Sequence, residues 1–278
     1  MGRGLEPSWL EWSYDTYPRI EAEFQAALDR SLNPRGPDVL YELVEEMGLP
    51  AGSVAVDVGC AEGNHTFALA ERFDFVVTGV DPVARHIELA LAVLDERAAS
   101  DPTITRRIRF VAGTAEALPL YDETVDLIWC RDVLVHVADL ERAYAEFQRV
   151  LRANGRVLIY QMFAGDRLEP REAEWLWKTA GVVPTSAAPA RTDAAIAAAR
   201  LRVDRRLDLG TEWGEWAEEK SGNGGLRLIR AARLLRDPPR YVEQFGQAAY
   251  EMMLGDCLWH IFGMIGKLDR RVYLLSKS

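Results

Sequence analysis

Hydrophobic positions along the chain follow two alternating rhythms. Short apolar runs at Val54–Val58, 75–80, Ile108–Ala112, 125–130 and 156–162 read as buried strands. Between them, apolar residues three and four apart at 66–72, 83–99 and 140–151 read as helices. Such alternation predicts a doubly wound α/β fold, a mostly parallel sheet with helices on both faces. Right-handed crossovers bring every strand's C-terminal end to one edge, where open sheets of this kind bind ligands.

The flanks read differently. Residues 9–47 form two or three helices carrying Trp9, Trp12, Tyr14, Tyr17 and Phe24, broken at Asn33-Pro34-Arg35-Gly36-Pro37. Asn154-Gly155 is expected to cap the helix 140–151. Further on, 172–179 and 192–199 read as helices and 201–209 as a strand with one wet face. Residues 211–267 are helical, with breaks at 221–225 and 237–239, and 271–276 is a last strand. The layout expected is an N-terminal helical cover (1–50), a core (51–210), and a helical lid (211–268) inserted before the core's last strand (269–278).

At 278 residues the chain can bury a core without metal or disulfide support. Cys60, Cys130 and Cys257 lie far apart, with neither a disulfide framework nor a C-x-x-C spacing, and no His/Asp/Glu set has metal-ligand spacing. A net charge of −10 argues against a nucleic-acid partner held through its phosphates. No run approaches the roughly 18 apolar residues of a membrane span. Glu6, Pro7 and Trp9 stand where a leader would be apolar, so a reduced, cytoplasmic setting is expected.

The chemistry begins at Asp57-Val-Gly59-Cys60-Ala61-Glu62-Gly63, a strand entering a glycine turn from which a helix leaves. A dinucleotide fingerprint counted from Gly59 needs glycine where Ala61 and Asn64 stand, and no Gly-Lys-Ser/Thr cradle is present. What remains is a carboxylate beside a turn without lysine, which suits a cationic ligand lacking phosphates. Asp81 ends the second strand, where a carboxylate accepts hydrogen bonds from ribose hydroxyls and can also cap the next helix.

Three further segments complete an ordered set over about residues 50–163: Gly113-Thr114-Ala115-Glu116-Ala117-Leu118-Pro119, Val125-Asp-Leu-Ile-Trp-Cys130, and Val150-Leu-Arg-Ala-Asn154-Gly155-Arg156. With them the chain resembles the class I S-adenosylmethionine-dependent methyltransferases, in the small-molecule branch that includes quinone, sugar and antibiotic methyltransferases. The resemblance implies a Rossmann-like core, S-adenosyl-L-methionine as cofactor, and methyl transfer to an O, N or C atom of a small organic acceptor of the natural-product kind. It sets the loop led by Asp57, with Gly59, Cys60 and Gly63, against the methionyl part, Asp81 and Pro82 at the ribose, and Thr114 and Ala115 beside the adenine. Cys130 and Arg131 would face the reaction centre, and Tyr14 and its aromatic neighbours would close over the cofactor or simply pack. Ala61 stands where the family often has a third glycine, and Thr114 where it often has an aspartate.

Transfer to a hydroxyl or ammonium acceptor needs a base. His136, just past the fourth strand, resembles the histidine some members use, and its alternative is to orient the loop. Asp132 is a second candidate or a cap, and His260, with Asp256 four positions earlier on the lid, is a third or a surface contact. Trp213, Trp216, Phe245, Tyr250, Met252, Met253 and Trp259 suggest an apolar lid pocket or the lid's own core. Arg227, Arg230, Arg233, Arg236 and Arg240 step by three or four and drift around a helix, which predicts a solvated face. Were they to converge, the acceptor would bear phosphate or carboxylate.

Two other functions compete with this one. A nucleic-acid base methyltransferase should carry an Asn/Asp-Pro-Pro-aromatic segment after the fourth strand, where Cys130-Arg131-Asp132-Val133 stands. A non-catalytic cofactor-binding module would have no need of a lid. The expected partner is a small-molecule acceptor, with no nucleic acid or membrane and with the oligomeric state open.

Overall fold

The computed structural model describes residues 8–277, which divide into two compact units, the first ending at Pro34 and the second beginning at Arg35. The first unit holds one long helix, α1 (Trp9–Leu28). A capping box starts it: the Ser8 hydroxyl accepts from the Glu11 N–H, and the Glu11 carboxylate accepts from the Ser8 N–H.

The second unit is built on a seven-stranded sheet of order β3-β2-β1-β4-β5-β7-β6. Its strands are β1 (Val54–Val58), β2 (Val76–Asp81), β3 (Ile108–Ala112), β4 (Val125–Arg131), β5 (Leu151–Ala164), β6 (Arg202–Asp208) and β7 (Leu268–Ser276). The first five are parallel, while β7 runs antiparallel between β5 and β6. Val, Ile and Leu fill the inner strands because both of their faces are covered. Edge strand β6, rich in Arg and Asp, has every residue exposed except Leu207.

Helices α3 (Asn64–Phe73), α4 (Ala84–Ser100), α5 (Leu140–Val150), α6 (Pro170–Ala180) and α7 (Pro189–Ala198) lie among the strands. The inserted lid is α8 (Glu212–Ser221), α9 (Asn223–Arg236), α10 (Pro238–Phe245) and α11 (Gln247–Met264). Ala231, Leu234, Leu254 and Cys257 form its own small core.

Two expectations are corrected. The helical cover does not run to residue 50, because α2 (Val39–Glu46) buries Val39, Leu40, Leu43 and Val44 in the main core. Nor does Asn154-Gly155 cap a helix. α5 stops at Val150 and the chain passes directly into β5, where Asn154, at φ +64°, forms an irregularity held by its N–H to the Lys277 carbonyl at 3.2 Å.

Strand order reverses between β1 and β4, so a crevice opens at their C-terminal ends. Gly59 follows one end and Arg131-Asp132 the other.

Candidate active site

The turn from β1 to α3 needs its glycines. Gly59 and Gly63 take φ +74° and +88°. A Cβ at Gly59 would lie 2.1 Å from Val133 Cγ2, and one at Gly63 2.6 Å from Phe110 Cζ. Ala61 adopts φ +47° without glycine's freedom, and its N–H donates to Asp81 Oδ2 at 2.9 Å. That charge-assisted bond offsets the strain of the left-handed backbone.

Asp57 is buried and accepts from the Thr66 hydroxyl at 2.7 Å, bracing the loop against the first turn of α3. Burial pushes its carboxyl up to about 7, against the opposing pull of Thr66 and Arg131. Asp81 Oδ1 accepts from the Val83 N–H at 2.9 Å and from His86 Nδ1 at 3.0 Å. With Ala61 on Oδ2, three of the carboxylate's roughly four lone-pair sites are used, and one remains for a ligand hydroxyl. The Gly113 N–H donates to the Asp81 carbonyl at 3.2 Å, so the turn carrying exposed Thr114 and buried Ala115 adjoins this carboxylate. Pro82 is exposed beside it. Cys60 is buried against Ala61, and Cys130 is fully buried with its thiol in the layer of Val56, Val58 and Ile159. The Cys130 side chain therefore does not face the reaction centre as expected. Tyr14 lies on α1, in the other unit.

Across the switch point, the ends of β4 and β5 and the lid helices line a cavity of about 710 Å³. It brings Arg131, Asp132 and His136, close together in sequence, into one wall system with the remote His260. Asp132 has φ +58°, and its N–H donates to the Tyr160 carbonyl at 2.9 Å. Its Oδ1 is buried without a partner among the described residues. Burial pushes this carboxyl up to about 6, with Arg131, Arg270 and His136 pulling the other way. His136 ends a short 3-10 turn, and its Nδ1 meets the Gly181 carbonyl at 2.9 Å. A carbonyl only accepts, so Nδ1 carries the proton and Nε2 is left with the lone pair.

His260 makes the same kind of bond to the Asp256 carbonyl, at 2.8 Å. Burial, with Arg227 and Arg270 nearby, pulls it down to about 4, so its ring is neutral at pH 7. The Asp256 carboxylate is engaged by Arg227. Arg131 lies over the Tyr160 and Trp213 rings, which stack at 4.2 Å, and donates to His65 Nε2. His65, pulled down to about 4 by burial and by Arg131 and Arg72, is a neutral brace between Arg131 and Tyr41.

Residues 56–159 match the family described as Methyltransferase domain. Phosphoethanolamine N-methyltransferase 1 of Arabidopsis thaliana is 32% identical over 124 residues, 45% of this chain and 24% of that protein. The chain thus spans about a quarter of the length of that curated relative. Among solved structures, geranyl diphosphate C-methyltransferase from Streptomyces coelicolor A3(2), bound to Mg2+, geranyl-S-thiolodiphosphate and S-adenosyl-L-homocysteine, superposes with a TM-score of 0.63 at 16% identity. That likeness covers 86% of this chain and 75% of the other. The [4+2]-cyclase SpnF superposes at 0.67 and 17% identity, over 95% and 94%. At these identities the likenesses show the fold.

The residues of the matched segment fit S-adenosylmethionine as cofactor. The loop 59–63 contributes no cationic side chain, Asp57 and Asp81 lie within electrostatic reach of each other, and Asp81 keeps acceptor capacity. Sequence reasoning missed several residues of the site's surroundings. His86, which belongs to no motif of the sequence, holds Asp81. Arg227 and Arg230, expected on a solvated face, line the cavity, whereas Arg233, Arg236 and Arg240 do not. Their spacing held the hint, but only the fold shows which side of α9 meets the sheet. Arg270 and Tyr160 carried no local pattern at all.

Proposed function

We propose that this chain is an S-adenosylmethionine-dependent methyltransferase acting on a small organic acceptor held in the cavity beneath α8–α11. When bound, the cofactor supplies a methyl group activated by its sulfonium. The chain's own work is to hold the reactants in line and to take up the acceptor's proton. The loop Gly59, Cys60 and Gly63, braced by Asp57, would hold the methionyl end, with Asp81 and Pro82 at the ribose and Thr114 and Ala115 at the base. Arg131 fixes the floor between His65 and the Tyr160–Trp213 stack. Tyr14 is assigned to closure over the cofactor.

One observation carries the reading: two candidate proton acceptors, Asp132, with a buried Oδ1 that has no partner among the described residues, and His136, whose Nδ1 is tied to the Gly181 carbonyl, line one cavity at the switch point. We assign Asp132 and His136 as the proton acceptors and His260 as a neutral lid residue contacting the acceptor. The relatives named for phosphoethanolamine and geranyl diphosphate favour a metabolite over a macromolecule, as does the net charge of −10. Three free, buried cysteines support a reducing, cytoplasmic setting. The likeness to a [4+2]-cyclase favours a second reading, in which the fold binds its cofactor without passing on the methyl.

Methyl-labelled S-adenosylmethionine incubated with the protein and a metabolite extract separates the two. Label in an extract component is expected, whereas tight cofactor binding with no label transferred would support the second reading. In calorimetry, Asp81→Ala should weaken cofactor binding by about tenfold or more, and unchanged affinity would remove Asp81 from the ribose.

A further inference from the structure

The charges around the cavity say more, resting on the reading that it holds the methyl acceptor. Four guanidinium groups line it, those of Arg131, Arg227, Arg230 and Arg270, against two carboxylates, Asp132 and Asp256. Asp256 is taken by Arg227, and Asp132 stands 4.0 Å from Arg131. Two arginines are left over. Arg230 has no hydrogen bond or ion pair among the described residues. Arg270 is only 4% exposed, and its Nη1 donates to the main-chain carbonyls of Gly210 at 3.1 Å and Gly263 at 2.9 Å. Those carbonyls satisfy protons, the end of α11 offsets part of the charge and the Asp132 carboxylate attracts it from a distance, but no carboxylate lies within ion-pair distance of it among the described residues. A buried cation without a direct ion pair is costly, which is why buried charges are normally paired.

The lid is shaped to admit this charge. Gly263 stands in the last turn of α11, where glycine is a poor helix former. A Cβ there would lie 2.2 Å from Arg270 Nη2, so the missing side chain is the guanidinium's space. Trp213, Trp216 and Trp259 supply apolar surface in the same cavity.

We propose that the acceptor is a small molecule bearing an oxyanion, a carboxylate or phosphate ester, on an apolar or aromatic body. Its anion is the counter-charge of Arg230 and Arg270, and its body lies against the tryptophans. A cationic acceptor would meet a surplus of positive charge. Arginine suits the task because its planar fork matches both oxyanions.

The test titrates protein loaded with S-adenosylhomocysteine with phenyl phosphate, 3-phenylpropionate and benzyl alcohol, following tryptophan fluorescence and heat. At least one oxyanion should bind about tenfold or more tighter than the alcohol. The preferred one separates a phosphate ester from a carboxylic acid. Arg230→Gln, on an exposed helix flank, should weaken that oxyanion by about tenfold and leave benzyl alcohol unchanged. Gly263→Ala, which displaces the guanidinium, should act in the same direction. Equal binding of all three probes, or undiminished oxyanion binding by Arg230→Gln, overturns the proposal. Loading with S-adenosylhomocysteine is measured first. A failure there strikes the cofactor reading alone, and the same titration on unloaded protein still decides the role of the arginines.

Discussion

Asp132 combines a left-handed backbone, a buried oxygen without a partner and a carboxyl shifted up to about 6. Strain and desolvation together at one residue are expected where function sets the geometry. Only the ionised form accepts a proton, so kcat/KM should rise with pH through about 6 and then level. Asp132→Asn should remove that limb and lower kcat by about 10²-fold or more. An unshifted profile in the variant would assign the limb to another group. Stability has the opposite sign. A carboxyl raised in the folded state costs stability as pH climbs from the unfolded value of 3.8 through about 6, so Asp132→Asn should melt higher than the parent at pH 7. His136→Ala should lower turnover far more than cofactor affinity, and unchanged rates would leave His136 a loop brace. At this scale Gly59, Asp81, Asp132 and His136 could be singled out from the sequence because each stands within a few residues of a strand end. Arg270 stayed hidden because its meaning depends on a glycine in a different element.

Among the elements, the turn between β1 and α3 shows what a glycine contributes beyond its φ. Gly48 and Gly63 both have positive φ, +64° and +88°, but a Cβ at Gly48 meets nothing within 4 Å while one at Gly63 meets Phe110. Gly48→Ala should cost about 1 kcal/mol for the backbone alone. Gly63→Ala should cost about 2–3 kcal/mol, since overpacking adds to the same strain. Denaturant melts of both variants check this, and equal losses would mean that Phe110 yields freely. Strands β1 to β4 were legible to within a residue or so because their apolar runs are bounded by turns. The junction of α5 and β5 was not. Asn-Gly is a strong helix-ending pair locally, and it took the pairing of β5 with β7 to turn it into a strand irregularity. The helix 39–46 looked like part of the N-terminal cover, yet its burial against the sheet was invisible in its own sequence.

For the whole molecule, every buried side chain among the described residues lies beyond Arg35, as do all seven strands. Deleting residues 1–34 should therefore leave a cooperative thermal transition within about 4 °C of the parent. Loss of the transition would show that the first unit is needed for folding. A protein with a net charge of −10 that gathers four guanidinium groups in one cavity has segregated its charge, and composition averages that away. Composition argues against a nucleic acid held through its phosphates, yet it could not reveal a basic cavity.

The lid leaves and rejoins the sheet at adjacent points: the Leu209 N–H donates to the Arg270 carbonyl at 2.8 Å, on neighbouring antiparallel strands β6 and β7. Such a closure makes the helices from α8 to α11 an exchangeable cassette. On the proposed function, a different run of helices with the same stem would change which metabolite is recognised while leaving the loop 59–63 and Asp81 untouched, and a short hairpin in its place would join β6 to β7 without loose ends.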